Sequence, residues 1–532
     1  MKKSKRILAL GLALMLSVGS LAACSKTPNE KDTSTKTPTK ENTTEGNTTE
    51  TDNSNGVDLS EEVNLIYYLW GGEGVANKNI LAEINKKLKA DLNTTIEIKY
   101  IDWGDINTKY PLLFASGEKF DMAHASPNAT IPYSTLANQD ALVDISSMLD
   151  TYAPALKAEI PESVWASSKV NGKIYGVPTL YSEFTPSGFV TRRDLAEKYG
   201  VTKVDSIQTM EQYLDAAKAD GIVPLNGSAT LSMDLYRLFI DTTSTWLSEA
   251  PGISTSEMFL AAKSAEGYTD VFHPAFTAEF EEFAVKMREW SDRGYWAKDA
   301  LSSQQSAKDN FLNGLSASYI THMADWSGTY GTTNEKLKVE TDFYTFAEDS
   351  GKIKRKMGVE NSTVISASSE HPERALMVIE KFMTDESYYR LIQYGIEGVQ
   401  YEVADGVAKK PEGFDAEKDG GGFSVWSLRN DKYNIPYASE DPRRYELNEK
   451  WNKTAIDNPY VGFNFDTSNV TAEIASISNV NSQLGIQIML GKTTQDPKAA
   501  VAEYRSQLEK AGINKVIEEV KSQLAEFTPV GK

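Results

Sequence analysis

The chain has one cysteine, Cys24, among 532 residues. A single thiol near the N-terminus excludes an internal disulfide, a cysteine-ligated metal centre and a catalytic thiol from the body of the protein. Histidine is nearly as scarce: His124, His273, His322 and His371 are the four. No two stand within one helical turn, and no His-Glu metal motif occurs, so the spacing gives no basis for a zinc site. Glycine motifs are incomplete. Gly72-Glu73-Gly74 begins a dinucleotide-type fingerprint, but Asn77 stands where the third glycine belongs. Gly314-Leu315-Ser316-Ala317-Ser318 lacks the closing glycine of a nucleophile elbow. Asp415-Ala416-Glu417-Lys418-Asp419-Gly420 places acids at alternate positions, yet Trp426 fills the twelfth position, where a calcium loop needs glutamate. The chain has many carboxylates, but no motif marks two of them as a hydrolase pair. No internal repeat of short period is present.

Positive charge is in the minority, with 55 Lys and Arg against 75 Asp and Glu and a net charge of -20. The first 23 residues hold four positive charges, so the part from Cys24 onward carries -24. So acidic a chain has no electrostatic attraction to nucleic acid or to an anionic membrane surface.

The one long apolar run lies at the start. Lys2, Lys3, Lys5 and Arg6 precede the apolar residues Ile7 to Gly19, followed by Leu21-Ala22-Ala23-Cys24. The run has the length of a signal-peptide core and is short for a membrane span, which needs about 20 residues. The tetrapeptide resembles the bacterial lipobox. That resemblance implies cleavage after residue 23 and acylation of Cys24, with two lipid chains for stable anchoring on the outer face of the cytoplasmic membrane. Residues 25–56 are mostly Thr, Ser, Asn, Glu, Lys and Pro with no aromatic and no large aliphatic side chain. Such a segment buries too little apolar surface to offset its ordering entropy and reads as a disordered tether.

The folded body is expected from about Asp58. Val63 to Leu69 reads as a buried strand, Trp70 to Gly74 as a turn, and Ile80, Ile84, Leu88 and Leu92 recur at helical spacing. Thr95 to Ile101 reads as a second strand and Phe120 to His124 as a third. Helices are expected over 210–219, 278–292, 373–383, 499–510 and 513–527. Strand and helix alternate, which predicts α/β layers with largely parallel sheets. Well over 400 residues remain after signal and tether, enough for two or more cores.

Aromatic residues are the informative class. Several of the nine tryptophans fall where an element ends: Trp70 after the first strand, Trp103 after the second, Trp326 after 317–322, and Trp426 after Gly420-Gly421-Gly422. Indole faces stack on the C–H faces of sugars, and neighbouring polar groups take the hydroxyls. Trp165, Trp246 and Trp290 read as core on helices.

Several ordered segments resemble the family 1 extracellular solute-binding proteins, and more narrowly the LplA/LipO-type lipoproteins of ABC carbohydrate importers. They are Pro111 to Met122 (PLLFASGEKFDM), Leu142-Val143-Asp144-Ile145, Val170 to Pro178 (VNGKIYGVP), Phe311-Leu312-Asn313-Gly314 leading to Met323-Ala324-Asp325-Trp326, His371 to Ala375, and Tyr394 to Tyr401 (YGIEGVQY). Phe120 replaces the family's usual proline. The similarity spans about Asn64 to Phe527.

The resemblance implies a two-lobed periplasmic-binding-protein-like (type II) α/β fold with hinge strands and an interlobe cleft. Residues 58–180 and 357–398 would form the first lobe, and 181–356 and 399–527 the second, behind a signal peptide (1–23) and a lipidated tether (24–57). It implies a lipid-anchored, monomeric, non-enzymatic receptor for an oligosaccharide, delivering it to a permease with a cytoplasmic ATPase. It implies no cofactor, no nucleic-acid partner and membrane attachment through lipid only. The same fold with a peptide or other small solute, or an anchored glycan hydrolase, are the alternatives. By cleft position the implied ligand residues are Trp70 and Glu73, His124 and Asn128, Tyr181 and Glu183, Trp326 as a stacking platform, and Trp426 and Asn464. Some relatives carry a calcium-binding Asp/Asn loop where this chain has the short Lys218 to Pro224, so no metal is carried over. Arg192, Arg193, Arg355 and Arg429 are the arginines that could meet a carboxylate, against the general tendency of arginine to be solvated.

Overall fold

Every second residue of the strand Val63–Trp70 turns inward, leaving Leu65, Tyr67 and Leu69 with no exposed surface. The helix Asn77–Leu92 buries Ile80, Ile84, Leu88 and Leu92 on one stripe and stops at Asn93, which is left-handed at φ 47°. The next strand, Thr94–Ile101, then lies parallel to the first, with Leu65 opposite Ile96. This β–α–β unit starts a computed structural model that describes residues 57–529 except 128, 252–259, 304, 357 and 464. The signal peptide, Cys24 and all but the last residue of the tether lie outside the described residues, as do Asn128 and Asn464. Among the described residues no helix is long and apolar enough to cross a membrane.

The first sheet has five strands in the order Thr94–Ile101, Val63–Trp70, Met122–Ala125, Ser362–Ile365 and Gly176–Pro178. The second has four, in the order Thr341–Thr345, Ser187–Arg192, Ser316–His322 and Val223–Leu225. The expectation of largely parallel sheets is corrected here, because both sheets are mixed. Ser362–Ile365 runs antiparallel to both its neighbours. In the second sheet only Ser316–His322 with Val223–Leu225 is a parallel pair. Ser362–Ile365 enters the first sheet from the opposite direction, after the chain has passed through the second sheet, and so cannot repeat the β–α–β sense.

Each sheet has its own core. The first holds the Asn77–Leu92 stripe and the helix Pro372–Thr384, with Leu376, Ile379 and Phe382 buried. The second is larger and joins Met210, Tyr213, Phe280, Phe283 and Trp290 to the C-terminal helices Pro497–Lys510 and Ile513–Glu526. Trp165, Trp246 and Trp290 are buried as expected, but Trp246 lies beyond the helix Leu231–Thr243 and not on a helix. Beyond Val399 the chain keeps contributing to the first core, through Phe423, Val425 and Leu428. The Gly420–Gly422 segment also holds the start of the first helix. Ala76 N–H donates to the Gly420 carbonyl at 2.9 Å, Gly422 N–H donates to Asn77 Oδ1 at 2.8 Å, and Asn77 Nδ2 donates to the Gly422 carbonyl at 3.0 Å.

Three stretches of chain run between the two sheets side by side. Leu180 N–H donates to the Arg429 carbonyl at 3.0 Å, and Asp431 N–H donates to the Leu180 carbonyl at 2.9 Å. Lys356 N–H donates to the Glu183 carbonyl at 3.1 Å, and Ile456 N–H donates to the Ile353 carbonyl at 2.9 Å.

Candidate ligand site

The carboxyl ends of the first sheet's parallel strands bring together an aromatic group. Trp70 stacks on His124 with ring centres 4.0 Å apart and planes 26° apart. Tyr110 meets Trp70 edge-on at 5.4 Å, and Trp103 meets it edge-on at 6.3 Å. Trp70 and His124 are buried, at 8% and 1% exposure, whereas Trp103 is 58% exposed. His124 holds Asn361 Oδ1 at 3.0 Å through Nε2. Burial, with a smaller contribution from the charge of Arg429, depresses its pKa to about 3, so the ring is neutral at physiological pH. Glu73 is exposed in the turn that follows Trp70.

Gly71 makes this turn possible. Its φ is +117°, and a Cβ there would sit 3.1 Å from Ser424 Oγ and 3.4 Å from Trp103 Nε1. Ser424 and Trp103 thus close off the side on which a Cβ would project, and only glycine combines that backbone with that space.

The second half of the group sits on the chain crossings. The Arg429 guanidinium lies between two rings, 3.9 Å from the centre of Tyr181 and 4.0 Å from that of Trp426. Its nearest carboxylate is Glu183, at 3.8 Å from Nη2. Arg429 Nε and Nη2 are buried and have no hydrogen-bond partner among the described residues. Buried donors are costly unless bonded, so their placement between two aromatic faces is a feature to explain. The Tyr181 hydroxyl is held by Arg444, which also pairs with Glu440 at 2.5 Å. Trp426 remains 38% exposed.

Glu183 also faces the charges of His322 and Lys356. His322 caps the helix Met323–Leu337, and its pKa is lowered by burial against the opposing pull of Asp325 and Glu183. Burial pushes Glu249 up, but Lys354, Lys356 and Arg237 outweigh it and hold the carboxyl below its usual range. Glu360 holds Lys356 above its usual value against the effect of burial. Burial raises Asp234 to about 6.

Trp326 is not an open platform, and that expectation is corrected. It is 2% exposed and donates from Nε1 to Thr341 Oγ1 at 3.1 Å. Phe343 stacks on it at 5.5 Å and the Arg443 guanidinium lies 5.0 Å from its ring centre. The helix starts at Met323, directly after the strand, so Trp326 falls in the first turn and is rotated into the core. Of the four arginines, Arg192 pairs with Asp194, Arg193 forms a two-bond fork with Asp342, and Arg355 donates to Asn452. Arg429 alone sits among aromatic rings of the site. Its sequence mark is Trp426-Ser427-Leu428-Arg429 after a triple glycine, a pattern too short to stand out.

The structure thus brings Trp70 and His124 together, and Tyr181, Glu183 and Trp426 around Arg429, while Trp326 lies in a separate buried cluster with Phe343 and Trp451. A separate hollow of about 540 Å³, lined by Asp385, Glu386, Arg390 and Tyr401, offers no open aromatic face, because Tyr401 is 3% exposed. Among the described residues no group of three or more His, Cys, Asp or Glu side chains could hold a metal ion.

Residues 73–388 match the family model for bacterial extracellular solute-binding proteins, and residues 459–529 match a domain of unknown function (DUF3502). A carbohydrate ABC transporter substrate-binding protein of Streptococcus pneumoniae serotype 4 is 24% identical over 461 residues, 84% of this chain and 87% of that protein. The crystal structure of the N-glycan transport solute binding protein (NgtS) from Streptococcus pneumoniae matches with a TM-score of 0.71 at 22% identity, over 87% of this chain and 98% of that one. The same protein in complex with Man1GlcNAc matches with a TM-score of 0.68 at 22% identity, over 87% and 99% of the two chains. The mixed α/β architecture is that of a two-lobed periplasmic-binding-protein-like fold, as the sequence resemblance implied.

Proposed function

The chain belongs to the bacterial extracellular solute-binding proteins, and from that premise we propose that it captures an oligosaccharide between its two lobes for the permease of an ABC importer. The observation that carries this reading is the Tyr181–Arg429–Trp426 sandwich beside the Trp70–His124 stack. Aromatic faces cover the apolar side of a sugar ring, and a guanidinium fixed in a plane gives directed donors to its oxygens. The carbohydrate and N-glycan receptors named above support the same ligand class.

In this proposal Tyr181, Glu183, Trp426 and Arg429 form the inner site, backed by the buried Trp70–His124 stack, with Glu73 at its rim. Asn128 and Asn464 belong to the same proposal on sequence grounds only. The first lobe is assigned residues 58–180 and 357 to about 431, because Phe423, Val425 and Leu428 pack in its core. The second lobe takes 181–356 and the remainder to 527. Closure is a hinge motion on the three crossings around the ligand. The protein does no covalent chemistry, acts as a monomer, and passes its ligand to a permease driven by a cytoplasmic ATPase. Cys24, acylated, holds it at the outer face of the membrane.

Thermal melting of the mature protein against a glycan panel tests the reading. A native oligosaccharide raises the melting temperature by mass action. Stabilisation by peptides alone, or a flat response to every glycan, refutes the sugar assignment. Release of shortened products from a bound oligosaccharide would establish the hydrolase instead.

A further inference from the structure

We propose that Trp103 forms an outer subsite for a further sugar unit, so that the ligand is a neutral oligosaccharide long enough to reach it from the Arg429 sandwich. The proposal rests on the oligosaccharide reading above and deepens it.

Trp103 is 58% exposed, far more than the buried Trp70 beside it. A core role is therefore excluded, and an exposed indole is a large apolar surface with a flat face. It is also held in place. The single turn Trp103–Asp105 follows the strand Thr94–Ile101 after one residue, Asp102, and Gly71 N–H donates to the Ile101 carbonyl at 2.9 Å. The ring meets Trp70 edge-on at 6.3 Å and its Nε1 abuts the Gly71 turn. An aromatic anchored by strand, turn and neighbouring ring pays little ordering entropy on stacking.

The placement links it to the inner site. Ser424 and Trp103 both border the space that a Cβ on Gly71 would enter, and Trp426 N–H donates to the Ser424 carbonyl at 2.9 Å. Trp103 and Ser424 thus meet at the Gly71 turn, and Ser424 stands two residues before Trp426 and five before Arg429, which puts Trp103 at the same end of the first sheet as the 424–429 segment. The charge at the outer end is acidic. Glu73 and Asp102 are exposed there, and Asp105 is paired with Lys109 at 2.7 Å. Carboxylates accept hydrogen bonds from sugar hydroxyls and repel anionic groups, which selects a neutral glycan at this end.

Calorimetric titration of the full chain and its Trp103→Ala variant with neutral oligosaccharides, from disaccharide to hexasaccharide, tests this. Expected is an affinity that rises with length in the unsubstituted chain. In the variant, the longest ligands lose roughly tenfold, as one aromatic contact predicts, and the disaccharide changes less than twofold. Trp103→Phe recovers most of the loss. The ligand-free melting temperature stays within a degree or two, since an exposed ring contributes little to the fold. An equal loss at every length, or no loss at any length, overturns the subsite while leaving the inner site standing. Unchanged affinity with impaired uptake assigns Trp103 to permease contact and also overturns it. A preference for uronate-containing chains of equal length overturns the neutral assignment. Failure of every glycan to bind the unsubstituted chain refutes the oligosaccharide reading itself.

Discussion

Replacing Arg429 with methionine separates what this side chain does for the fold from what it does for the ligand. Methionine keeps the length and the apolar stem but deletes the guanidinium. Two ring contacts are lost, at 3.9 and 4.0 Å, each worth about 0.5–1 kcal/mol beside a partly exposed ring. The 3.8 Å pairing with Glu183 is lost as well. Against this, two buried donors without a partner among the described residues are removed, and the burial of such groups costs about 1–3 kcal/mol. The terms oppose each other, so the stability of the ligand-free protein should change by no more than about 1–2 kcal/mol. Affinity has no such compensation. A hydrogen bond to a charged donor contributes about 1.5–3 kcal/mol, so losing one or more weakens the best glycan by at least roughly tenfold. Arg429→Lys should recover little, because an ammonium neither forks nor lies flat between two rings. Urea unfolding and calorimetric titration of the same preparations measure the two quantities. A variant that unfolds more easily by 3 kcal/mol or so yet binds normally would refute this reasoning and make Arg429 a structural pin.

Trp326→Ala should cost about 3–5 kcal/mol of stability, the usual range for deleting a fully buried indole, and Trp326→Phe clearly less; urea midpoints decide, and normal stability with lost binding would restore the open platform. His124 and His273 are both buried with pKa values near 3, burial being the main cause. Unfolding exposes rings that take up protons below about pH 6.5, so stability is full above that value and falls as pH drops towards 3, by roughly 2 kcal/mol per ring at pH 5. Asp234, raised to about 6 by burial, works in the opposite sense, so the informative quantity is the shallower pH 5–7 slope of His124→Asn; an unchanged slope contradicts the assignment. Cys24→Ala should leave solution affinity unaltered and abolish uptake because the receptor is no longer held beside its permease; lost affinity would show that anchor and site are coupled.

Much of the fold could be read from periodicity. Ile80, Ile84, Leu88 and Leu92 are spaced for one helical stripe, and alternation in Val63–Trp70 gave an inward face. Strand direction could not be read this way, because the sense of Ser362–Ile365 depends on which sheet the chain has just left and not on its own residues. Trp326 was misplaced for a local reason. It follows a strand, as an end-of-element aromatic should, but the capped helix begins three residues earlier and turns it inward. Arg429 was one arginine among four until partners were visible. Asp194, Asp342 and Asn452 claim the other three, and nothing in the four local sequences foretells that. Trp103 and Trp70 look alike in sequence, and only packing separates a buried ring from an exposed one.

The crossings have a mechanical consequence. In the proposed closure, atoms near the pivot move least, and Arg429 is bonded through its own carbonyl to Leu180 on the neighbouring crossing. A contact made at the pivot exists in much the same form whether the jaws are open or shut. Such a contact adds to affinity equally in both states and cannot drive the motion, since a ligand shifts an equilibrium only by its difference in affinity for the two ends. The torque for closing has to come from groups on a long radius, where a small rotation makes or breaks a contact. The sandwich at the crossings would then set how tightly a sugar is held, and the outlying end of the cleft would set whether holding it is reported to the membrane.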